Sequence, residues 1–387
     1  MTESIEVQGS CDPRFARVQQ EFEQAFERGD ELGASVCVTL EGETVVDLWA
    51  GFADEARTRA WEHDTLVNVY STTKGMTALC ALRLVEQGRL DLDAPVARYW
   101  PEFAAAGKEE LPVRYLLSHR AGLAAVQEPL APGSLFDWAC MAKALAEQAP
   151  WWTPGDQHGY HAISFGFLVG ELVRRITGRS LGTYFREELA EPLGLEFYIG
   201  LPEALEPRVA ALVQGPIHET EGPNLMELIV TDPESLTAKA FANPPLDPTA
   251  ANSREWRAAE IPAANGHGTA AALARVYAAL SVGGDLDGVH VLAPELIEQA
   301  RTEQSLGMDA VLMLVSRFGL GFGMPPAEEP TGPNSEVFGH AGMGGSYGQA
   351  DPENRMSFGY TMNLMHMGAW LVDPRPRALL RAVYASL

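Results

Sequence analysis

Val69-Tyr70-Ser71-Thr72-Thr73-Lys74-Gly75-Met76 holds the one Ser-x-x-Lys spacing in a chain of 387 residues. Lysine is scarce here: Lys74, Lys108, Lys143 and Lys239 are all there are. Downstream, Ala78, Leu79, Leu82, Leu84 and Val85 recur at helical spacing as far as Gly88, which predicts a helix opened by Ser71. Residues three apart on a helix share a face, so a hydroxyl stands beside an amine. That is a nucleophile next to a base. A short motif carries weight only through its context, and the context lies on both sides.

Upstream, Asp12-Pro13 introduces a helical pattern over 13–29 marked by Phe15, Val18, Phe22 and Phe26. Apolar runs at 34–40 and 44–49, separated by Glu41-Gly42-Glu43, predict a hairpin. Helices are predicted over 136–146, 164–176, 184–191 and 269–280, and the stretch 215–262, rich in proline, asparagine and acid, reads as long loops around short helices. Strand period returns at 319–324, 337–341, 346–350 and 356–363, with Asp351-Pro352-Glu353-Asn354 as a turn, before a last amphipathic helix over 374–384. Strands at both ends and helices between them predict a multi-domain α+β chain. Residues 1–75 and 266–387 would form one antiparallel sheet flanked by helices, and 76–265 an inserted, mainly helical domain. Active sites favour such junctions, and Ser71 stands at this one.

Hydrophobic content of 46% and charged content of 21% are those of a globular protein with a sizeable core. A net charge of -24 argues against a nucleic-acid partner, which needs a basic face, and against an anionic membrane surface. Cys11, Cys37, Cys80 and Cys140 are widely spaced and form no C-x-x-C pair, so free thiols are expected rather than disulfides or a metal site. Met1-Thr2-Glu3-Ser4-Ile5-Glu6 has neither a basic nor an apolar signal region, and no apolar run approaches a membrane span. A cytoplasmic protein with no cofactor is expected, and its oligomeric state is left open.

Acyl transfer needs a nucleophile, a base and two donors aimed at the developing oxyanion. Ser71 at a helix start supplies the first, and its own N–H one of the donors. Lys74 must lose its proton near pH 7, a fall of roughly 3 units from an ordinary lysine, or about 4 kcal/mol. Burial is large enough to do this. Tyr160, in Gly159-Tyr160-His161-Ala162-Ile163-Ser164-Phe165-Gly166, follows the loop signal Pro154-Gly155 and precedes a helix, so its hydroxyl can project into a cleft. A strongly interacting tyrosine and lysine titrate as one pair, and which of them holds the proton stays open at this level.

Taken with Ser71-Thr72-Thr73-Lys74, several further stretches resemble the serine β-lactamase/DD-peptidase superfamily, and most closely its family VIII carboxylesterase branch. They include Gly88-Arg89-Leu90-Asp91-Leu92-Asp93, Leu116-Leu117-Ser118-His119-Arg120, Tyr160-His161-Ala162, Asn265-Gly266-His267-Gly268 and Gly339-His340-Ala341-Gly342. The resemblance runs from about residue 30 to the C-terminus. It implies Ser71 as nucleophile, Lys74 and Tyr160 as the proton-handling pair, and His340-Ala341-Gly342 at the family's Lys-Thr-Gly strand. The N–H of Met343 would be the second oxyanion donor, with His340 and Gly342 contacting substrate; Trp152 and His161 are further candidates for substrate contact.

The departures narrow this. Ala162 replaces the asparagine of Tyr-x-Asn, and His340, a weaker and pH-dependent cation, replaces the lysine of Lys-Thr-Gly. Neither a Ser-Asp-Asn motif nor a deacylating glutamate motif is present. A serine carboxylesterase for short-chain esters, with weak β-lactam hydrolysis at most, is expected; an acyltransferase, a β-lactamase or D-peptidase, and an acylated sensor that does not turn over are the alternatives.

Other residues invite chemical readings that their setting does not support. Gly344-Gly345-Ser346-Tyr347-Gly348 matches G-x-S-x-G, yet strand patterns rather than a helix follow Ser346, so a tight-turn role is expected. His119 reads as structural, and His158, His161 and His340 lack the acid or cysteine spacing of a metal site. Asn363 is expected to satisfy backbone groups. Trp151, Trp152, Met343, Met365 and Met367 are candidates for an acyl pocket or for plain core packing.

Overall fold

A computed structural model describes residues 5–218, 225–245, 249–327, 329–368 and 371–387. A six-stranded antiparallel sheet draws on both ends of the chain. Its strands are β1 (Gln8–Cys11), β2 (Gly33–Leu40), β3 (Glu43–Gly51), β4 (Phe338–Ala341), β5 (Tyr347–Asp351) and β6 (Met356–Met362), in the spatial order β1-β3-β2-β6-β5-β4. The expected hairpin joins β2 to β3, and β2 pairs in turn with β6, Cys37 opposite Gly359. The helices that matter for the site are α1 (Ala16–Arg28), α2 (Thr73–Glu86), α3 (Ser164–Thr177), α4 (Ala270–Ser281) and α5 (Pro374–Tyr384). The predicted antiparallel sheet flanked by helices is present.

Successive side chains of a strand point to opposite faces, and β6 uses both. On one face, a Cβ at Gly359 would lie 2.2 Å from the carbonyl oxygen of Ala270, and one at Gly348 2.3 Å from the ring of Tyr277. These two glycines are register partners, so a row of minimal residues lets α4 press directly on the sheet. Beside that row Ser357 donates to the Ala274 carbonyl at 2.7 Å, which leaves Thr39 as the donor in its 2.7 Å contact with Ser357. On the other face Tyr360 meets Glu31, which Arg375 at the start of α5 holds at 3.0 Å. Cys37 and Cys80 are buried and all four cysteines are unpaired.

The sequence reading is corrected at three places. Residues 319–324 are not a strand: Gly321, at φ +83°, turns the chain down onto α2, where a Cβ would lie 2.3 Å from that of Ala78. The strand lies just before it, at Val315–Phe318, paired with Ser305–Met308. The strands Gln8–Cys11 and Leu364–Met367 were not expected, and the second pairs in parallel with Val213–Ile217. Finally, α2 begins at Thr73, so Ser71 sits in the turn before the helix rather than as its first residue. Among the described residues of 215–262 the short helices Leu225–Thr231, Leu236–Ala242 and Arg254–Ala258 are present; 219–224 and 246–248 lie outside the described residues.

Candidate active site

The turn that carries Ser71 is tight. The N–H groups of Thr72, Thr73 and Lys74 donate to the carbonyls of Val69, Tyr70 and Ser71 at 3.2, 3.0 and 2.9 Å, a three-residue spacing that opens into the helix. Tyr70 adopts φ +42°, a left-handed conformation that costs a residue with a Cβ about 1–2 kcal/mol. The surroundings hold it there. Thr73 Oγ1 donates to the Tyr70 carbonyl at 2.6 Å and accepts the N–H of Gly266 at 2.8 Å. Ser346 Oγ donates to the Val69 carbonyl at 2.7 Å and lies 3.0 Å from Thr72 Oγ1. Gly342 crosses so closely that a Cβ there would lie 2.1 Å from the Val69 carbonyl oxygen. Ser346 is thus buried and tied to the backbone beneath Ser71.

Lys74 is fully buried on the first turn of α2. Its Nζ lies 3.0 Å from Ser71 Oγ, 2.8 Å from the Ala162 carbonyl and 2.9 Å from the Ala263 carbonyl. Burial is the whole cause of a pKa well below that of an ordinary lysine. Both carbonyls belong to segments that also fold around α2: the loop 261–266 hangs on Asn265, whose side chain bonds the backbone of Ile261, Trp256 and Ala259.

Tyr160 is buried with its ring 4.6 Å from Lys74 Nζ and stacked on Phe318 at 5.9 Å between centroids. Desolvation pushes its pKa above the usual tyrosine range, and the Ser71 side chain near its hydroxyl offsets this only in part. The backbone at Tyr160 is anchored by Asp309, a fully buried carboxylate not singled out from the sequence. Asp309 Oδ1 accepts the N–H groups of Tyr160, Val311 and Leu312 at 2.9, 2.8 and 2.9 Å, and Oδ2 accepts Ser316 Oγ at 3.1 Å. Nothing around Asp309 in the sequence resembles a site motif; only the folded contact reveals it.

Ser71 and Tyr160 open on a cavity of about 200 Å³, also lined by His340, Gly342, Met343 and Phe318. His340 departs from its expected role as a cation. Burial, with Lys74 close by, pushes its pKa down to about 3, so it is neutral at physiological pH. Its Nδ1 lies 2.7 Å from the Ala341 carbonyl.

Two expected substrate contacts are corrected. His161 is fully buried, with Nδ1 on the Gly159 carbonyl at 2.7 Å and Nε2 accepting the Leu123 N–H at 3.2 Å, so neither nitrogen is left for a ligand. Trp152 does not line the cavity; it packs edge-on to His161 at 6.2 Å in a small apolar cluster. Met343 and Met367 line the cavity, whereas Trp151 and Met365 are packing residues. His119 accepts the His161 N–H at 3.1 Å, and His158 bonds Ser316 at 2.9 Å. Asn363 bridges the backbone of Gly33 and Phe52 at 3.0 Å each.

Comparison with known proteins places the chain in a family. A family model described as Beta-lactamase matches residues 18–382. The chain is 38% identical over 374 residues to the esterase/beta-lactamase LipL of Mycobacterium tuberculosis, covering 92% of this chain and 82% of that one. Its fold superposes on a family VIII carboxylesterase with a TM-score of 0.91 at 42% identity, over 99% of this chain and 100% of the other. A penicillin-binding protein homolog from Caulobacter crescentus gives a TM-score of 0.90 at 43% identity, again over 99% and 100% of the two chains.

Proposed function

The chain belongs to the β-lactamase family, and from that we propose that it is a serine carboxylesterase hydrolysing short-chain carboxylic esters through an acyl-enzyme on Ser71. The observation that carries the proposal is the trio of contacts at Lys74 Nζ: two backbone carbonyls and Ser71 Oγ. A neutral amine has two N–H donors and one lone pair. With the donors directed to Ala162 and Ala263, the lone pair faces the serine hydroxyl, which donates to it. Lys74 is then a base already aimed at its proton.

The opposite shifts of the two partners support one reading of the pair: Lys74 is low and Tyr160 is high, so Lys74 starts as base and Tyr160 as acid. In acylation the Ser71 proton passes to Lys74 Nζ as Oγ attacks the ester carbonyl. The N–H groups of Ser71 and Met343 hold the oxyanion. Tyr160 gives its proton to the departing alcohol oxygen, leaving a phenolate beside an ammonium. In deacylation water gives a proton to the phenolate as it attacks, and Lys74 returns its proton to Ser71. Two protons move out and two move back, and no cofactor is required.

An ester rather than an anionic β-lactam or peptide is favoured by the absence, among the described residues, of an unpaired cation lining the cavity. His340 is neutral, and Arg317 is engaged by Glu303 at 2.9 Å. Weak β-lactam hydrolysis is kept as a side activity because the family and the LipL name both carry it. We also read the chain as two parts, 1–75 with 266–387 and 76–265, meeting at Ser71; the sheet's use of residues 8–51 and 338–362 supports this. A cytoplasmic setting belongs to the same proposal, supported by four unpaired cysteines. No described helix is long and apolar enough to cross a membrane.

p-Nitrophenyl butyrate tests the reading across pH. Activity requires Lys74 without its proton, so kcat/KM rises as pH passes the depressed pKa of Lys74, well below the range where an ordinary lysine loses its proton, and is level above it. Tyr160, raised by burial, keeps its proton, so it imposes no fall below about pH 10. Continuous turnover with that plateau is the expected result. One stoichiometric burst that then stops would instead mark a sensor, and a rise that begins only near pH 10 would remove Lys74 as a lowered base.

A further inference from the structure

His340 lies near the end of β4 and lines the cavity with Ser71 and Tyr160, only 5% exposed. Its Nδ1 faces the Ala341 carbonyl at 2.7 Å, and a carbonyl cannot donate, so Nδ1 carries the proton. The other nitrogen, Nε2, is therefore an acceptor. It is buried and, among the described residues, has no hydrogen-bond partner. A buried acceptor without a donor is rare and unfavourable, and it calls for a group that the protein itself does not supply.

The surroundings indicate what that group is. The rings of Tyr160 and His340 are 6.1 Å apart, so Nε2 is close to the reacting centre. Two carboxylates also line the cavity, Asp373 held by Arg375 at 3.0 Å and Glu329 near Arg377 at 3.6 Å. Among the described residues the one guanidinium lining the cavity, on Arg317, is already paired. A substrate carboxylate would meet like charge and a lone pair. A hydroxyl or amide N–H would meet an open acceptor.

We propose that Nε2 of His340 accepts a hydrogen bond from the substrate, and that the site selects uncharged esters whose acyl part carries a hydroxyl or amide N–H close to the scissile carbonyl. The proposal rests on the Ser71 reading above. With the carbonyl oxygen on the Met343 N–H, just beyond His340 in the chain, the first carbons of the acyl part come within reach of that nitrogen. The lysine of the family's Lys-Thr-Gly strand offers donors and charge at this position; a histidine fixed in this tautomer offers the reverse.

The test compares p-nitrophenyl esters matched in shape: 3-methylbutyrate, each enantiomer of 3-hydroxybutyrate, and the charged monosuccinate. The wild-type enzyme should prefer one hydroxy ester over 3-methylbutyrate by about threefold to tenfold in kcat/KM, the worth of one neutral hydrogen bond. Monosuccinate should be the poorest of the set. In His340→Phe the hydroxy-to-methyl ratio should fall to about one or below, and His340→Lys should raise monosuccinate relative to the others. Ratios within one variant cancel any general loss of activity, and the wild-type ratio stands even if a variant does not fold. A wild-type ratio of one for both enantiomers, or a preference that survives in His340→Phe, overturns the proposal. Ser71→Ala is run alongside: turnover that persists there would overturn the nucleophile reading itself, a different failure from an unselective but Ser71-dependent enzyme.

Discussion

Ser71→Ala is expected to lower kcat/KM for p-nitrophenyl butyrate by on the order of 10⁵-fold while leaving the fold intact. Both halves follow from what the side chain touches. Ser71 Oγ meets Lys74 Nζ at 3.0 Å and lies near Tyr160, and neither group needs it for its place. Lys74 keeps the carbonyls of Ala162 and Ala263, and Tyr160 keeps its ring on Phe318 and its N–H on Asp309. What disappears is the covalent step, and loss of a nucleophile costs about as much as removing the whole catalytic group. Ser346→Ala is the control. Its hydroxyl donates to the Val69 carbonyl, so the change should cost about 1 kcal/mol of stability and leave most activity. Steady-state kinetics with circular dichroism on both variants reads the contrast; inactivity of Ser346→Ala beside an active Ser71→Ala would reverse the assignment.

Lys74→Ala and Tyr160→Phe should each lower kcat/KM by on the order of 10³-fold, and the double variant should fall little further. The two residues serve one proton cycle: Lys74 takes the proton that Ser71 loses and Tyr160 supplies the one the leaving oxygen needs, so removing either stalls acylation. Independent roles would instead give losses that multiply. Lys74→Ala also strips donors from two buried carbonyls, a loss of about 1–3 kcal/mol for each, so its kinetics are to be read on protein shown to be folded. Tyr160→Phe spares the ring and isolates the hydroxyl. A double variant about 10³-fold below either single one would contradict the coupled pair.

The parts of this site that were legible in the sequence are those in which side-chain type carries the chemistry. A serine and a lysine three apart before an apolar helix declare themselves, and the hairpin at 34–49 and the strands at 346–350 and 356–363 follow from alternation and turn residues. The rest depends on contacts that no local pattern encodes. Lys74 is oriented by the carbonyl of Ala263, 189 residues away, and any residue has a carbonyl. Asp309 supports Tyr160 across 149 residues from a segment with no motif. Gly321 was read as part of a strand because its neighbours are apolar, yet its close approach to Ala78 makes it a turn. His340 was read as a cation from its alignment with a lysine, and only its burial and its bond to Ala341 make it neutral. Trp152 and His161, expected at the substrate, are turned by the fold to packing and to the backbone.

The most direct test of the central claim is to treat the wild-type protein with diethyl p-nitrophenyl phosphate, which phosphorylates an activated serine. The digested protein is then mapped by mass spectrometry. The account predicts one diethylphosphoryl group per chain, on Ser71, appearing in step with the loss of esterase activity. Activity lost with the label on Ser346 or elsewhere, and Ser71 unmodified, would contradict it.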